Sequence, residues 1–192
     1  MIVILDYNAG NTQSVMHAIN RLGYSCKLSK DLNEIQQADK IIFPGVGQAS
    51  VAMNELKQTG IDKLLPQLEQ PVLGICLGLQ LMCTHSEENN TLGLGIFPTK
   101  VKQFNTPLPV PHMGWNKLQF NDQPLFSGLD QQAYFYFVHS YYAEWCDFTQ
   151  ATATYDLSFS AVLQKDNFYA TQFHPEKSGI AGEQILKNFL SL

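Results

Sequence analysis

The chain has 192 residues, of which 45% are hydrophobic and 15% charged, a balance that is typical of a folded globular protein and not of a disordered one. Its net charge of −5 argues against nucleic-acid binding, because proteins that bind nucleic acids usually carry a strongly basic face. Arg21 is the sole arginine, so the sequence does not favour a site for a phosphorylated ligand on this chain.

Nothing in the sequence indicates a membrane protein, a secreted protein or a metal protein. No apolar stretch is long enough to span a bilayer, and the first apolar run stops at Asp6 without the basic start of a secretory signal. The four cysteines are scattered, and none belongs to a Cys-x-x-Cys pair. We therefore expect reduced thiols in a cytoplasmic protein, with no metal site and no cofactor.

The first half of the chain alternates apolar strand patterns with amphipathic helix patterns. The predicted strands cover residues 2–6, 25–28, 41–43 and 71–75. The predicted helices cover residues 11–22, a short segment capped by Asp31, residues 51–58, residues 61–68 and the stretch after residue 76. Strands joined by helices imply right-handed crossovers, so we expect a mostly parallel sheet with helices on both faces.

From Phe97 onward, short aromatic and β-branched segments replace this alternation. The segments predict antiparallel strands added to the sheet, at residues 134–138, 149–155, 161–165 and 168–173. A final helix is predicted over residues 180–190, and the proline-rich residues 106–111 predict an extended loop. Because apolar strands continue beyond that loop, we expect a single α/β domain over residues 1–192.

The pentapeptide Gly74-Ile75-Cys76-Leu77-Gly78 is the most informative feature of the sequence. It places Cys76 where a buried strand turns into an apolar helix, with a glycine two residues away on either side to leave room for a sharp bend. This layout would set the sulfur above the sheet at a helix N-terminus, which favours a reactive thiolate. By themselves, the five residues fit a buried structural cysteine equally well.

The tripeptide His174-Pro175-Glu176 carries the two groups that a cysteine nucleophile needs, a base and an orienting group. It follows a predicted strand, so it would lie at the C-terminal edge of the sheet beside Cys76. Residues i and i+2 of an extended segment face the same side, so Glu176 can orient the imidazole of His174. On its own, the tripeptide also fits a solvated loop before the last helix.

The turn Pro44-Gly45-Val46-Gly47 comes directly after another predicted strand. Two glycines in four residues allow backbone N–H groups to point at a ligand, as an oxyanion hole requires. The turn lacks the Gly-Lys-Ser/Thr ending of a phosphate-binding loop. Taken alone, it is also compatible with an ordinary strand-to-helix turn.

Together, the three motifs resemble those of the class I (triad) glutamine amidotransferases, and the resemblance covers nearly the whole chain. It implies a flavodoxin-like α/β fold and the hydrolysis of L-glutamine to glutamate and ammonia through a glutamyl thioester on Cys76. His174 would relay protons, Glu176 would orient His174, and the backbone of Val46 and Leu77 would stabilise the oxyanion. The resemblance also implies a substrate-binding set, which consists of Gly45, Gly47, Gln80, Glu88, His139, Ser140 and Tyr141.

Within that set, the resemblance implies that Gln80 grips the α-carboxylate end of the substrate and that Glu88 lies near its amino group. Glu87 is the neighbouring alternative to Glu88.

The glycines that flank Val46 suggest a switch in the oxyanion turn. Because ammonia made without an acceptor is wasted, we expect the N–H of the Val46 peptide to face away from the substrate at rest. Docking of a partner and binding of the acceptor would then favour the active orientation.

Four further segments are similar to the family of glutaminase subunits of imidazole glycerol phosphate synthase, namely residues 6–11, 112–116, 136–141 and 174–178. This resemblance implies a heterodimer whose second member is the cyclase of that synthase, a (β/α)₈ barrel that uses the ammonia in histidine biosynthesis. Asn8 stands where this family more often has glycine, a departure that concerns the first loop and not the triad. The implied docking residues are Asn11, Trp115, Tyr136 and Lys177.

Three alternatives stay open on the sequence. The first is the glutaminase of anthranilate or aminodeoxychorismate synthase, against which residues 112–116 and 136–141 argue. The second is a cysteine peptidase or redox-stress protein of the same broad fold, and such proteins lack the combination of Gln80 with the other motifs. The third is an inactive regulatory module, against which the intact set of Cys76, His174 and Glu176 argues.

Overall fold

The computed structural model describes residues 1–7 and 11–192. Asn8, the position that departs from the related glutaminases, lies outside the described residues. The strands are β1 (Ile2–Leu5), β2 (Cys26–Ser29), β3 (Lys40–Gly45), β4 (Val72–Cys76), β5 (Cys83–Ser86), β6 (Thr91–Leu92), β7 (Phe97–Gln103), β8 (His112–Lys117), β9 (Gln119–Phe120), β10 (Tyr134–His139), β11 (Tyr141–Ala143), β12 (Thr149–Tyr155), β13 (Leu157–Lys165) and β14 (Phe168–Thr171). The helices are α1 (Thr12–Arg21), α2 (Leu32–Gln36), α3 (Ala49–Thr59), α4 (Ile61–Leu64), α5 (Leu77–Met82) and α6 (Gly179–Ser191).

The described strands form one large mixed sheet and one small ribbon. The large sheet runs in the order β2-β1-β3-β4-β14-β13-β11-β7-β5-β6, with β12 paired to β13 and β9 paired to β12. Its half from β2 to β14 is parallel, and antiparallel pairings begin at β13. The small ribbon consists of β8 and β10, paired antiparallel. Because β3, β4 and β14 are parallel neighbours, their C-terminal ends meet at one edge, where ligand sites of open α/β sheets form.

Strand β1 shows why the sheet is covered on both faces. Its four residues are all buried, and they alternate between two core clusters, with Val3 and Leu5 in one cluster and Ile2 and Ile4 in the other. The first cluster contains buried residues of α3 and α5, and the second contains buried residues of α1 and α6. A continuous apolar strand is therefore required, as the sequence indicates.

Most predicted elements are confirmed to within a few residues. Asp31 caps α2, and its side chain accepts hydrogen bonds from the backbone N–H groups of Asn33 and Glu34 at 2.9 and 3.0 Å. The predicted helix 61–68 is confirmed only as far as Leu64, and a 3₁₀ turn at Leu65–Gln67 follows because Pro66 cannot continue the α-helical pattern.

Two expectations about strand pairing are wrong. The sequence pattern places residues 134–138 in the main sheet, but β10 pairs with β8 in the separate ribbon, whose inner face packs Phe135 and Phe137 into the core. The pattern also predicts an antiparallel strand over residues 168–173, but β14 ends at Thr171 and is antiparallel only to β13, since it runs parallel to β4 on its other side. Sequence patterns give strand location but not the partner, because pairing is decided by long-range contacts.

Candidate functional site

Cys76 ends β4 and begins the turn into α5, as the pentapeptide predicts. Its backbone has φ 54° and ψ −104°, in the positive-φ region that residues with a Cβ rarely adopt. A Cβ on Gly78 would overlap the carbonyl oxygen of Phe43, and a Cβ on Gly74 would lie 2.5 Å from the sulfur of Met82. Both glycines therefore allow α5 to pack closely against β3 and β4, and the sharp bend at Cys76 is confirmed.

His174 and Glu176 form a buried pair just after β14. His174 Nδ1 donates a hydrogen bond to Glu176 Oε1 at 2.8 Å, and the two side chains are 2% and 1% exposed. Because a carboxylate only accepts, Nδ1 carries the proton and Nε2 is left for chemistry. Nε2 has no hydrogen-bond partner among the residues that the structure describes. An imidazole held at one nitrogen and free at the other is the arrangement that a general base requires.

The charge of His174 depends on both of its neighbours. Burial lowers the pKa of His174, but the negative charge of the Cys76 sulfur and the interaction with Glu176 raise it more strongly, and the resulting pKa is about 10. An ionised Cys76 sulfur therefore favours the positive charge on His174. Such a pair can supply both a nucleophile and the proton that a leaving group needs.

The turn after β3 brings its residues to the same edge. Gly45 pairs with Cys76 in the β3–β4 register, and a Cβ there would lie 2.7 Å from the Cβ of Leu77 and 2.8 Å from the hydroxyl of Tyr7. Gly45 is not among the residues that line the cavity, so its expected contact with the substrate stays a prediction. Gly47, with φ 104°, does line the cavity.

A cavity of about 330 Å³ opens in front of Cys76. This volume is at the lower end of the range for small-molecule sites, roughly 300–1,000 Å³. The sequence-predicted oxyanion and substrate residues, with the exception of Gly45, all contribute to its wall. The wall consists of Val46, Gly47, Cys76, Leu77, Gln80, Glu88, Pro111, Val138, His139, Ser140, Tyr141 and His174.

Glu88, and not Glu87, faces this cavity. Glu88 Oε2 accepts a hydrogen bond from the backbone N–H of Ala49 at 2.7 Å, at the first residue of α3. Glu87 is occupied elsewhere, because its carboxylate binds Lys102 Nζ at 3.0 Å and the backbone N–H of Gln103 at 2.9 Å. Of the two carboxylates, Glu88 is therefore the one placed to contact a ligand.

Gln80 offers an acceptor to the cavity in this state. Its Nε2 donates to the carbonyl of Tyr141 at 2.9 Å and to Gln172 Oε1 at 3.2 Å, so both amide hydrogens are used within the protein. The Oε1 atom is left for a ligand, and it suits an ammonium group. The expected grip of Gln80 on a carboxylate would require one of these two hydrogen bonds to open.

Two residues of the site were not found from the sequence. Gln172 is fully buried, and its Nε2 donates to Cys76 Sγ at 3.6 Å. Its spacing of two and four residues from His174 and Glu176 is a signal that could have identified it. Tyr7, whose hydroxyl donates to the carbonyl of Pro44 at 2.5 Å, fixes the end of β3 just before the oxyanion turn.

The residues expected at a docking face lie on neighbouring surface elements. Trp115 and Tyr136 are directly opposite in the ribbon, with ring centroids 5.9 Å apart and planes at 69°. Trp115 is 56% exposed, so it is not a core tryptophan. Lys177 is exposed in the 3₁₀ turn Pro175–Lys177, and Asn11 caps α1, which contacts that turn.

The inner face of the ribbon carries two hydrogen-bonded neutral histidines, His112 and His139, of which His139 lines the cavity. His139 Nδ1 donates to the carbonyl of Tyr141 at 2.7 Å, so His139 Nε2 accepts from His112 Nδ1 at 3.0 Å. His112 Nε2 in turn accepts from the side-chain amide of Asn116 at 3.4 Å. Burial lowers the pKa of His112 to about 4 and that of His139 to about 3, so both rings stay neutral well below pH 6.

These two histidines should make the fold sensitive to acid. Both folded-state pKa values lie below the ordinary value of about 6.5, so between pH 6.5 and 4 the unfolded chain binds protons that the folded chain does not. As the pH falls through that window, we expect each histidine to lower the free energy of unfolding by up to about 1.4 kcal/mol for every pH unit. Above about pH 6.5 the two histidines should have no such effect. Urea unfolding of the wild type and of His112→Gln at several pH values measures this slope, which should be shallower in the variant. His17→Gln, on the exposed face of α1, controls for the removal of a histidine, and equal slopes in all three proteins would contradict the expectation.

The described part of the chain has neither a metal-binding cluster nor a membrane-spanning helix. Residues 1–7 and 11–192 contain no group of three or more His, Cys, Asp or Glu side chains that could hold a metal ion. In the same ranges, no helix has the length and apolar character needed to cross a membrane.

Comparisons with known proteins agree with this geometry. Residues 3–192 match the family model of class I glutamine amidotransferases. The chain is 53% identical to the imidazole glycerol phosphate synthase subunit HisH of Bacteroides thetaiotaomicron over 194 residues, which cover 100% of this chain and 99% of that protein. It is 49% identical, with the same coverage of both proteins, to the HisH subunit of Pectobacterium atrosepticum.

Solved structures show that the fold is shared with more distant proteins. The chain superposes with a TM-score of 0.78 on a glutamine amidotransferase, at 16% identity and with coverage of 100% of this chain and 98% of that chain. The TM-score is 0.76 for PurLQS of Thermotoga maritima, at 17% identity and with coverage of 99% and 97%. The expected α/β fold is therefore confirmed, and the chain belongs to the class I glutamine amidotransferases and, within them, to the HisH family of imidazole glycerol phosphate synthase subunits.

Proposed function

We propose that the chain hydrolyses L-glutamine to L-glutamate and ammonia, and that it supplies the ammonia to the cyclase subunit of imidazole glycerol phosphate synthase for the synthesis of imidazole glycerol phosphate and AICAR. One observation carries the proposal. Cys76, on its sharp bend, lines the same cavity as His174. The Nδ1 atom of His174 is held by Glu176 Oε1 at 2.8 Å. The full-length relatives favour this synthase over anthranilate or aminodeoxychorismate synthase, since they are HisH subunits.

The first half of the reaction forms a thioester. The Cys76 thiolate attacks the side-chain carbonyl carbon of glutamine, the S–C bond forms, and the carbonyl oxygen becomes an oxyanion. The backbone N–H of Leu77 would stabilise that oxyanion, together with the N–H of Val46 when it faces the cavity. The C–N bond then breaks as His174 Nε2 gives its proton to the leaving ammonia.

The second half releases the product. Water attacks the thioester while His174 Nε2 accepts its proton, and the S–C bond breaks to give glutamate and the Cys76 thiolate. Glu176 keeps the imidazole in the same orientation throughout. Glu88 would bind the substrate's ammonium group, with Gln80 Oε1 as a second acceptor, so the cavity selects an amino acid over a simple amide.

The outer face of the ribbon is the proposed docking surface for a (β/α)₈ barrel in a heterodimer. This face carries Met113, which is 63% exposed, and the edge-to-face pair Trp115 and Tyr136. Exposed aromatic and methionine side chains are enriched at protein interfaces. Val138 also projects from this face and lines the cavity, so docking there would cover the cavity mouth.

Residues 1–192 would act as one domain in the cytoplasm. The four free cysteines of the chain suit the reducing environment of that compartment.

The decisive test is glutamate release by the purified chain in three mixtures: alone, with the cyclase barrel, and with the barrel and its ribonucleotide substrate. We expect a low rate for the chain alone and a large increase in the full mixture. A high rate that is the same with and without the barrel would support glutaminase activity but contradict the proposed partner. Peptidase activity without glutaminase activity would replace the proposal with a hydrolase of the same fold.

Gly47 provides a test of the expected switch at Val46. Its φ of 104° is inaccessible to proline, whose φ is fixed near about −65°, so Gly47→Pro should prevent the turn from adopting this conformation. We expect stimulated glutamate release to fall by at least about 10²-fold, the effect of losing one oxyanion donor. The variant should still fold, because a Cβ at this position meets no atom within 4 Å, but the forced change of φ should lower the free energy of unfolding by about 1–3 kcal/mol, which thermal unfolding measures. Normal stimulated turnover in the variant would rule out the switch.

A further inference from the structure

Gln172 is a buried amide beside the reactive sulfur, and the mechanism above does not use it. Its side chain is fully buried, and its backbone N–H is fixed by the carbonyl of Ala161 at 2.8 Å. Its Nε2 lies 3.6 Å from Cys76 Sγ. The sulfur has a second contact, to the carbonyl oxygen of Val138 at 3.9 Å. A carbonyl can only accept from an S–H group, whereas an amide N–H can only donate to sulfur, so the two contacts favour opposite charge states of Cys76.

The orientation of the Gln172 amide follows from its other partner. The carbonyl of Tyr141 accepts from Gln80, so the atom of Gln80 that lies there must be Nε2. The same Nε2 also contacts the Gln172 amide at 3.2 Å, and the atom it meets must be an acceptor, which is Oε1. The NH₂ group of Gln172 is therefore the one that faces the sulfur.

We propose that Gln172 positions the nucleophile and stabilises its thiolate: its amide donates a hydrogen bond to the Cys76 sulfur, and its oxygen links that sulfur through Gln80 to the wall of the substrate cavity. A hydrogen bond to an ionised acceptor is stronger than one to a neutral acceptor, so the donor favours thiolate over thiol. Because Gln172 is fully buried and Gln172→Met fills the same space, water does not reach that side of the sulfur to replace the lost donor. The inference deepens the proposed function, on which it rests for the identity of Cys76 as nucleophile.

The test measures the rate at which iodoacetamide alkylates Cys76 between pH 5 and 10, with Cys76 followed by peptide mass spectrometry apart from Cys26, Cys83 and Cys146. Gln172→Met keeps the length of the side chain but removes the donor. We expect the half-maximal rate to move upward by about one pH unit, which slows alkylation by about tenfold at pH values below both midpoints, while the plateau at high pH is retained. Gln172→Glu has nearly the same shape and should move the half-maximal rate in the same direction, because a carboxylate repels the thiolate.

Gln164→Leu is the matched control. Gln164 lies on β13, next to β14, and its amide contacts the hydroxyl of Tyr169 and not the cavity. This variant should keep the wild-type pH profile. A purely structural role for Gln172 would lower the rate at every pH and leave the half-maximal pH unchanged, and that result would overturn the proposal.

A measurement on the unmutated protein covers the case in which the Gln172 variants do not fold. The side-chain amide resonances of Gln172 in ¹⁵N-labelled protein should shift with pH, with the same midpoint as Cys76 alkylation, and the shift should vanish after alkylation. Side-chain amide chemical shifts of Gln172 that stay constant over this pH range would overturn the proposal. Neither readout uses glutamine, so a protein that fails as a glutaminase can still show the Gln172–Cys76 interaction, and the two failures are distinguishable.

Discussion

Replacement of Cys76 with alanine is expected to lower stimulated glutamate release by at least about 10³-fold, because no second cysteine among the described residues lines the cavity and could form the thioester. The fold should be retained. The cysteine occupies the positive-φ position at the end of β4, which alanine tolerates as poorly as cysteine does, and so the strain is unchanged. Glutamate release with saturating cyclase barrel and ribonucleotide is the measurement.

Cys146→Ala is the matched control for this variant. Cys146 is half-buried and lies outside the cavity wall, so its loss should leave the rate near that of the wild type. A Cys76→Ala protein that retains more than a few per cent of the wild-type rate would contradict the assignment of the nucleophile.

Gly78→Ala is expected to lower both stability and activity. The added methyl group would overlap the backbone carbonyl oxygen of Phe43, and neither β3 nor α5 can move without displacing the bend at Cys76. We expect the free energy of unfolding to fall by about 3 kcal/mol, the upper end of the range for overpacking. Cys76 should also lose its orientation, so glutamate release should fall with stability. Urea unfolding and the activity assay measure the two effects.

Gly23→Ala separates crowding from backbone strain. Gly23 has φ 85° in a turn where a Cβ would meet nothing within 4 Å, so only the left-handed conformation opposes alanine there. We expect a loss of about 1–2 kcal/mol and no change in the rate of glutamate release. Equal losses in the two variants would show that steric overlap at Gly78 is relieved by local movement.

The parts of the site that the sequence predicted are those set by local rules. The bend at Cys76 follows from two glycines and a change of hydrophobic period within a few residues, and the His174–Glu176 pair follows from i, i+2 alternation. Glu88 could be separated from Glu87 only in three dimensions, because the choice depends on whether Ala49 or Lys102 is the neighbour.

The parts of the site and of the fold that the sequence did not predict depend on contacts between segments that are distant along the chain. Gln172 and Cys76 are 96 residues apart, so the spacing of Gln172 from His174 could place it on the same face of the segment but could not show that its amide meets the sulfur. The same holds for β8 and β10, whose aromatic pattern gives strands but cannot say that they form a ribbon outside the main sheet. Strand propensity reports a half-buried surface and leaves the partner undefined.

The ribbon of β8 and β10 also limits how this part of the chain can change in length. Its residues alternate between an inward face that holds His112 and His139 and an outward face that presents Trp115 and Tyr136. Inserting or deleting one residue within either strand would exchange the two faces beyond that point, turning outward side chains such as the indole of Trp115 towards the core and inward ones towards solvent. Insertions or deletions within these strands must therefore involve two residues, or be absorbed by a β-bulge. Only then does the ribbon keep its inward face in the core and its outward face exposed for docking.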